Sequence, residues 1–356
     1  MLSRSLLGWE VTTWTLLAEL LLAAGIVIVA GTRFTRSADT LADRLGIGGG
    51  WIGLILLATV TSLPELVSGG TATALGNVDL ALGGILGSCS FNITLIVLLN
   101  ALLGGGSVLR NVSLSHALSS SFGLALIGLA LLGIVLLEKF AARPTVAQTC
   151  EAAWALTIAV AYFGCMRLIH RFERRTNGDA TKPPRRSGGA LLYVDIAAMA
   201  AVIVTASYWL ATLCDVLSTH KIDMIGRPLG ATFVGAGFLA LATSLPEITT
   251  SFAAVRLGNL DLALGNIFGS NMFNIFVIPI LKVVSLAQGD ALLIANGNVD
   301  ETQNIITGLL AMLLTAIAVG SLIYKSSRKM LRRFGFDSVL IATTYVGGMI
   351  LLLMQG

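Results

Sequence analysis

The chain has 356 residues, of which 55% are hydrophobic and only 12% charged, and its mean hydropathy is +0.86. Soluble domains carry about a quarter charged residues, so the composition excludes a soluble globular protein and indicates a polytopic membrane protein. The basic residues behind the net charge of +4 cluster between apolar segments, as the positive-inside rule predicts for cytoplasmic loops. No nucleic-acid partner is therefore expected.

Ten apolar segments are long enough, at ~20 residues each, to cross a bilayer as helices. The first follows Arg4 and resembles a signal peptide, but its length and the lack of a cleavage site favour a transmembrane helix. The chain is therefore predicted to be an all-α membrane protein with the lipid bilayer as its main partner. In chain order the predicted spans are 12–32, 50–75, 79–103, 115–137, 148–169, 191–213, 229–256, 261–284, 303–324 and 338–354.

A duplication relates the two halves of the chain at a constant offset of 182 residues, as from Glu65 to Glu247. The five residues Thr-Ser-Leu-Pro-Glu that end at Glu65 recur unchanged at Glu247, and 53–93 matches 235–275 at 23 of 41 positions. Each copy contains five predicted spans, an odd number, so the two copies must enter the membrane from opposite sides. Inverted repeats of this kind are typical of secondary transporters, whose substrate sites lie near the midplane.

The positions of the basic residues predict the orientation. Loops on one side hold 17 of the 23 Lys and Arg residues, and the positive-inside rule places that side in the cytoplasm. Both termini are then extracytoplasmic, and the loops between spans 5 and 6 and between spans 9 and 10 are cytoplasmic. The predicted division is a first repeat at 1–170, a polar cytoplasmic linker at 171–189 and a second repeat at 190–356.

The duplicated motif carries chemistry that is costly inside a membrane. Proline lacks the backbone N–H of a helix and clashes with the preceding turn, so Pro64 and Pro246 free carbonyl groups that can bind cations around a buried cavity. A glutamate in mid-membrane marks a functional site by default. Thr61 and Glu65 are four residues apart and therefore share a helix face, as do their counterparts Thr243 and Glu247.

The next span of each repeat adds hydroxyl and amide oxygens at the same spacing. Ser88 and Asn92 in the first copy correspond to Ser270 and Asn274 in the second. Carboxylate, hydroxyl, amide and carbonyl oxygens suit hard cations such as calcium and sodium. No shell of sulfur or imidazole ligands for zinc or copper is evident, because the cysteines lack metal-site spacing and the histidines, His116 among them, are isolated. Two glutamates would neutralise one divalent or two monovalent cations.

These segments resemble the α-repeats of the calcium/cation antiporter superfamily, and in particular its prokaryotic sodium/calcium exchanger branch. The resemblance covers almost the whole chain and is carried by the duplicated TSLPE and GSxxFN motifs. It implies ten helices with the α-repeats on spans 2, 3, 7 and 8. It also implies a transporter without catalytic residues or cofactors, in which sodium entry drives calcium export by alternating access. The first and sixth helices would slide across a fixed ion-binding bundle.

The resemblance assigns cation ligands position by position. Glu65 and Glu247 correspond to the paired glutamates of the family that bind calcium and also contribute to the sodium sites. Thr61 and Thr243 correspond to threonines whose carbonyls help to bind calcium. Hydroxyls of the sodium sites correspond to Ser62, Ser88, Ser244 and Ser270. Carbonyls that complete the outer and inner sodium sites correspond to Ala58 and Ala240, and the central polar position of the first repeat is Asn92.

The chain departs from the family pattern beside these glutamates. Many exchangers of this branch have aspartate where this chain has Asn274, Cys89 replaces an expected asparagine, and Gly84 replaces the asparagine seen at Asn266. The calcium ligands are intact, but the driving cation and the stoichiometry stay open.

Alternatives to sodium/calcium exchange remain at this point. They are calcium/proton exchange on the same fold and, less favoured, a cation channel or a membrane scaffold. A monomer is the starting expectation for the oligomeric state. Asp79 and Asp261 follow Gly-Asn turns and are predicted to be the N-caps of spans 3 and 8.

Overall fold

The structure is a computed structural model, and it describes residues 12–103, 107–110, 112–140, 142–176, 189–219, 240–290, 292–294, 301–325, 329–331 and 334–354. Within these residues the predicted helices are present in the predicted order, so the all-α fold is confirmed. They are α1 (Thr13–Leu45), α2 (Gly49–Ala74), α3 (Val78–Leu102), α4 (Ser115–Glu138), α5 (Pro144–Thr176), α6 (Leu191–Thr219), α7 (Ala240–Thr243 and Leu245–Arg256), α8 (Leu260–Ala287), α9 (Glu301–Tyr324) and α10 (Phe336–Leu353). A 3₁₀ turn (Val108–Arg110) follows α3, and two short antiparallel strands, β1 (Lys329–Leu331) and β2 (Phe334–Gly335), precede α10.

Eight of the described helices are long and apolar enough to cross a membrane, and the apolar stretch of α10 is shorter. The predicted start of the seventh span, 229–239, lies outside the described residues. A multi-pass membrane protein is therefore confirmed.

Two helices extend well beyond their predicted ends. α1 continues past residue 32 to Leu45 because Phe34, Ala38 and Leu41 keep a buried stripe on the core. It stops at Gly46, whose φ of 63° gives the left-handed cap that favours glycine. α5 likewise continues to Thr176, into the predicted linker.

The two α-repeats form the centre of the bundle, with α8 the most enclosed helix. α8 packs against α2, α3, α4 and α5, while α1 pairs with α6 along the side, and α9 packs on α3 and α4.

Glycine allows α2 and α8 to cross in backbone contact. A Cβ at Gly269 would lie only 2.5 Å from the carbonyl oxygen of Leu54, and one at Gly265 would overlap the carbonyl oxygen of Gly50. These two glycines therefore allow the backbones of α2 and α8 to approach closely.

Both repeat helices are interrupted at the same residue of the motif. α2 contains a π-helical turn at Gly53–Leu57 and is broken at Ser62, where φ and ψ are −91° and 4°. α7 is broken at Ser244 with nearly identical angles, −89° and 4°. In each case the proline, Pro64 or Pro246, lies in the first turn of the helix that follows, where its missing N–H costs nothing. The two copies of the motif therefore share a backbone conformation as well as a sequence.

The prediction that Asp79 and Asp261 cap their helices is wrong. The caps are Asn77 and Asn259, whose side-chain oxygens accept the backbone N–H three residues on, at 3.2 and 3.0 Å. The aspartates already lie in the first helical turn, so their carboxylates turn to neighbouring helices instead. His116 Nε2 donates to Asp261 Oδ1 at 2.9 Å, so this histidine, which stands alone in the sequence, has an acidic partner in the fold.

Candidate cation site

The two broken helices bring Glu65 and Glu247 together in the interior of the bundle. Their residues are 4% and 0% exposed, and the two carboxylates are close enough to interact electrostatically. Each glutamate lies in the first turn of the half-helix that begins after the break. The positive end of each helix dipole therefore faces a carboxylate and lowers the cost of burying it.

Hydroxyl groups from both repeats surround Glu247. Ser62 Oγ, from the first repeat, donates to Glu247 Oε1 at 3.3 Å, and Ser270 Oγ, from α8, donates to the same oxygen at 3.5 Å. Thr61 Oγ1 in turn lies 3.3 Å from Ser270 Oγ. These distances are long for hydroxyl–carboxylate hydrogen bonds. The oxygen atoms therefore lie close together but are only weakly hydrogen-bonded to one another.

Glu65 has a sparser set of partners. Ser88 Oγ donates to Glu65 Oε1 at 3.5 Å, which mirrors the contact between Ser270 and Glu247. The carbonyl oxygen of Ala58 accepts from Thr61 Oγ1 at 3.4 Å and from the backbone N–H at position 62. The two half-sites therefore share a contact between the glutamate and a serine of the following helix.

Several buried oxygens at the site have no hydrogen-bond partner among the described residues. A buried polar atom without a partner costs about 1–3 kcal/mol, so such a group of atoms indicates that a ligand supplies the missing interactions. Carboxylate, amide and hydroxyl oxygens are the ligands of hard cations, and their residues are at most 4% exposed. The atoms are Glu65 Oε2, Glu247 Oε2, Asn92 Oδ1, Asn274 Oδ1 and Ser244 Oγ.

Two asparagines that the sequence reasoning did not assign to the site organise it. Asn271 joins α3 to α8, because its Oδ1 accepts from Asn92 Nδ2 at 3.1 Å and its Nδ2 donates to the carbonyl of Cys89 at 3.0 Å. Asn266 joins the two broken helices. Its Oδ1 accepts from Thr61 Oγ1 at 3.2 Å, and its Nδ2 donates to hydroxyls of α7 at 2.9 and 3.0 Å.

The predicted ligands are therefore placed unevenly. Glu247 is grouped with Ser62, Ser270 and Thr61, and Glu65 is in contact with Ser88. Asn92, Asn274 and Ser244 are buried with unpartnered oxygens. Ala58 contributes its carbonyl. Ala240 and Thr243 lie in the short first piece of α7, just before the break.

Helix α1 covers one flank of the site. A Cβ at Gly31 would lie 3.0 Å from Thr249 Cγ2, and Thr35 Oγ1 lies 3.4 Å from the carbonyl oxygen of Thr250. An ion pair between Arg33 of α1 and Asp195 near the start of α6 joins these two helices. Gly31 and Thr35 thus give α1 close contact with α7, whereas Ile28 and Arg36 of α1 line a cavity between the two helices.

The chain is similar to known proteins over most of its length. A family model described as "Sodium/calcium exchanger protein" matches residues 15–169 and 192–354. The chain is 27% identical over 321 residues to the putative antiporter CaxA of Alkalimonas amylolytica, which covers 86% of this chain and 92% of that protein. It is 28% identical over 286 residues to the sodium/calcium exchanger MaX1 of Methanosarcina acetivorans, with coverage of 73% and 80%.

Solved structures show the same fold. The structure of the sodium/calcium exchanger from Methanococcus jannaschii is similar with a TM-score of 0.57 at 17% identity, covering 93% of this chain and 96% of that one. The sodium-calcium exchanger NCX_Mj soaked with 10 mM Na⁺ and zero Ca²⁺ gives a TM-score of 0.64 at 17% identity, with coverage of 94% and 98%.

Proposed function

Because the chain belongs to the sodium/calcium exchanger protein family, a family of membrane cation exchangers, we propose that it is a secondary antiporter that exchanges calcium for sodium across the cell membrane. The cations would bind at the midplane between Glu65 and Glu247. Transport would proceed by alternating access, and the ions would be substrates, with no cofactor and no catalytic residue. The observation that carries this proposal is the group of unpartnered oxygens around two buried carboxylates.

The charge of the site supports exchange of one ion type for another. Two carboxylates close together repel each other unless a cation lies between them, and one Ca²⁺ or two Na⁺ would balance their charge. Calcium takes six to eight oxygens at about 2.3–2.6 Å, so it would draw the loosely bonded hydroxyls of Ser62 and Ser270 inward. Because both ions would use the same glutamates, their binding is competitive, which is the condition for antiport.

The helices beside the site support a sliding transition. Arg33 Nη2 lies 2.5 Å from Asp195 Oδ1, and Ser37 Oγ donates to Asp195 Oδ2 at 2.6 Å. These contacts tie α1 to α6, so the two helices would move as one unit. The inverted repeat offers this unit two equivalent positions against α2 and α7, each opening the site to one side. The proposed orientation has both termini outside and the basic loops in the cytoplasm, on the strength of the loop charges.

Transport into liposomes tests the proposal. The purified protein would be reconstituted, and uptake of labelled calcium would be followed with an outward gradient of sodium, of potassium or of protons in turn. Protein-free liposomes and an ionophore that clamps the membrane potential are the controls. Uptake that requires the sodium gradient is expected. Uptake that ignores sodium and follows pH would replace sodium with protons as the counter-ion, and calcium flux without any counter-ion would refute antiport.

A further inference from the structure

A cavity of about 340 Å³ lies between α1 and the second piece of α7. Its wall is mostly apolar and includes Ile248, Phe252 and Ala253. Two further lining residues, Ile28 and Leu257, are 48% and 43% exposed, so the cavity opens at the side of the bundle. Its size falls within the range of ligand pockets, about 300–1,000 Å³. None of the described residues that line it belongs to the cation site.

The cavity is a groove that runs along both helices. On α1 it is lined by Ile28, Thr32 and Arg36, which share one helix face because they are spaced by four residues. On α7 the lining extends from Leu245 to Leu257. At 1.5 Å per helical residue these stretches are about 12 and 18 Å long, close to half of the roughly 30 Å hydrocarbon core of a bilayer. The groove therefore has the length of an acyl chain within one leaflet.

Two arginines line the same end of the groove. Arg36 lies four residues beyond the predicted end of the first span, and Arg256 is the last residue of α7. Both are exposed, and neither forms an ion pair with a described residue. Asp39, the acid nearest to Arg36 in the sequence, instead accepts from Asn259 Nδ2 at 2.7 Å. Among the described residues, this end of the groove therefore carries two positive charges without a counter-charge.

The opposite end of the groove reaches the cation site. Leu245 directly follows the break in α7 and precedes Glu247 by two residues. One turn later, Thr249 lines the groove and also packs on α1, where a Cβ at Gly31 would lie 3.0 Å from its Cγ2. A molecule in the groove therefore contacts α1 and the cation-binding helix at the same time.

Charge distinguishes between the molecules that such a groove would accept. The predicted linker 171–189 does not complement the arginines, because it contains six basic and two acidic residues. A phosphate group does complement them, since arginine donates charge-assisted and bidentate hydrogen bonds to phosphate oxygens. Basic pockets between transmembrane helices bind anionic lipid headgroups in this way. A phosphate at one end and an acyl chain along the apolar wall match both parts of the groove.

We propose that the groove between α1 and α7 is a binding site for one anionic glycerophospholipid. Its phosphate lies between Arg36 and Arg256, and one acyl chain extends along the groove towards Leu245. A ligand stabilises the state to which it binds, so the lipid favours the arrangement of α1 and α7 seen here. The site goes beyond the proposed exchange function and does not depend on it.

Native mass spectrometry of the purified chain with added phosphatidylglycerol or phosphatidylcholine tests the headgroup. The wild type should retain one phosphatidylglycerol per chain in preference to phosphatidylcholine. The double variant Arg36→Gln/Arg256→Gln should bind phosphatidylglycerol about thirtyfold more weakly, because each arginine near an anionic headgroup contributes about a factor of five. The matched control, Arg174→Gln/Arg175→Gln, removes two exposed arginines from the last turn of α5 and should bind like the wild type.

A second pair of variants tests the acyl chain. Ile28→Trp narrows the groove, whereas Val29→Trp places the same side chain on a residue that is 70% exposed and does not line it. Only Ile28→Trp should weaken binding, by about a factor of four for each methylene group that it excludes from the groove. Glycerol 3-phosphate, which has the charge without the chain, should not displace the lipid.

Several results would overturn the proposal. Equal binding of the two lipids by the wild type would remove the role of the arginines, and equal losses in the two arginine pairs would reduce the effect to general attraction at a basic surface. Equal binding by Ile28→Trp and Val29→Trp would show that no chain enters the groove. Displacement by glycerol 3-phosphate would assign the arginines to a soluble phosphate, and a dimer without bound lipid would assign the groove to a second copy.

Discussion

Replacing Glu151 with glutamine should destabilise the protein by at least about 3 kcal/mol. Glu151 of α5 and Lys282 of α8 form an ion pair at 2.6 Å, with side chains only 0% and 4% exposed. The same carboxylate accepts the backbone N–H of Leu293 at 2.7 Å and of Ile294 at 2.9 Å. Removing one partner of a buried ion pair typically costs about 3–5 kcal/mol. A glutamine also turns an NH₂ group towards one of these donors, which adds a loss of hydrogen bonding.

Thermal unfolding in detergent would measure this loss, with a double-mutant cycle to isolate the pair. Lys282→Met should cost less than Glu151→Gln, because the carboxylate keeps two backbone donors when the ammonium is removed. The double variant Glu151→Gln/Lys282→Met should be more stable than the sum of the single losses implies. The neutral contact between Asn100 Nδ2 and Ser338 Oγ, at 2.7 Å, is the control, and Ser338→Ala should cost only about 1 kcal/mol. A Glu151→Gln protein whose stability is within about 0.5 kcal/mol of the wild type, which is the range typical of surface substitutions, would refute the reasoning.

Three further predictions concern the site and its support. Gly269→Ala should destabilise the protein by about 1–3 kcal/mol, because its Cβ would lie 2.5 Å from the Leu54 carbonyl oxygen. Thermal unfolding would measure this, with Gly164→Ala as the control, since a Cβ there would have no described atom within 4 Å. Equal losses of stability in the two variants would contradict the prediction. Asn274→Asp should change the sodium concentration that half-saturates exchange, since it adds a carboxyl group among the unpartnered oxygens; an unchanged sodium dependence would show that this position does not set coupling. Asn266→Ala should weaken calcium binding about tenfold, which corresponds to 1.4 kcal/mol, because it removes the bridge between the broken helices; unaltered binding in calorimetry would refute that role.

The duplicated motif allowed the central part of the fold to be predicted. Identical residues at matching positions gave identical breaks at Ser62 and Ser244, and the two glutamates lie together as inverted repeats require. Local sequence was sufficient here because a proline, a preceding serine and glycine-rich neighbours determine where the helix ends and how closely another helix can approach.

The asymmetric residues could not be assigned in the same way. Asn266 and Asn271 stand where the first repeat has Gly84 and Cys89, so comparing the copies gave no reason to select them. Their partners in the first repeat lie 205 residues away for Asn266 and Thr61 and 179 residues away for Asn271 and Asn92, and only the packed bundle shows them. The same is true of His116, whose partner Asp261 was taken for a helix cap.

Calcium binding and transport by Glu65→Gln and Glu247→Gln test the central claim most directly. Each change removes one charge from a buried site, which typically costs about 2–5 kcal/mol when the partner remains, and so should weaken calcium binding at least roughly thirtyfold. Glu301→Gln, at the start of α9, is the matched control and should bind and exchange calcium like the wild type. The account predicts that both site variants fold, lose stabilisation by calcium in thermal unfolding and fail to exchange. Exchange at the wild-type rate in either variant would contradict it.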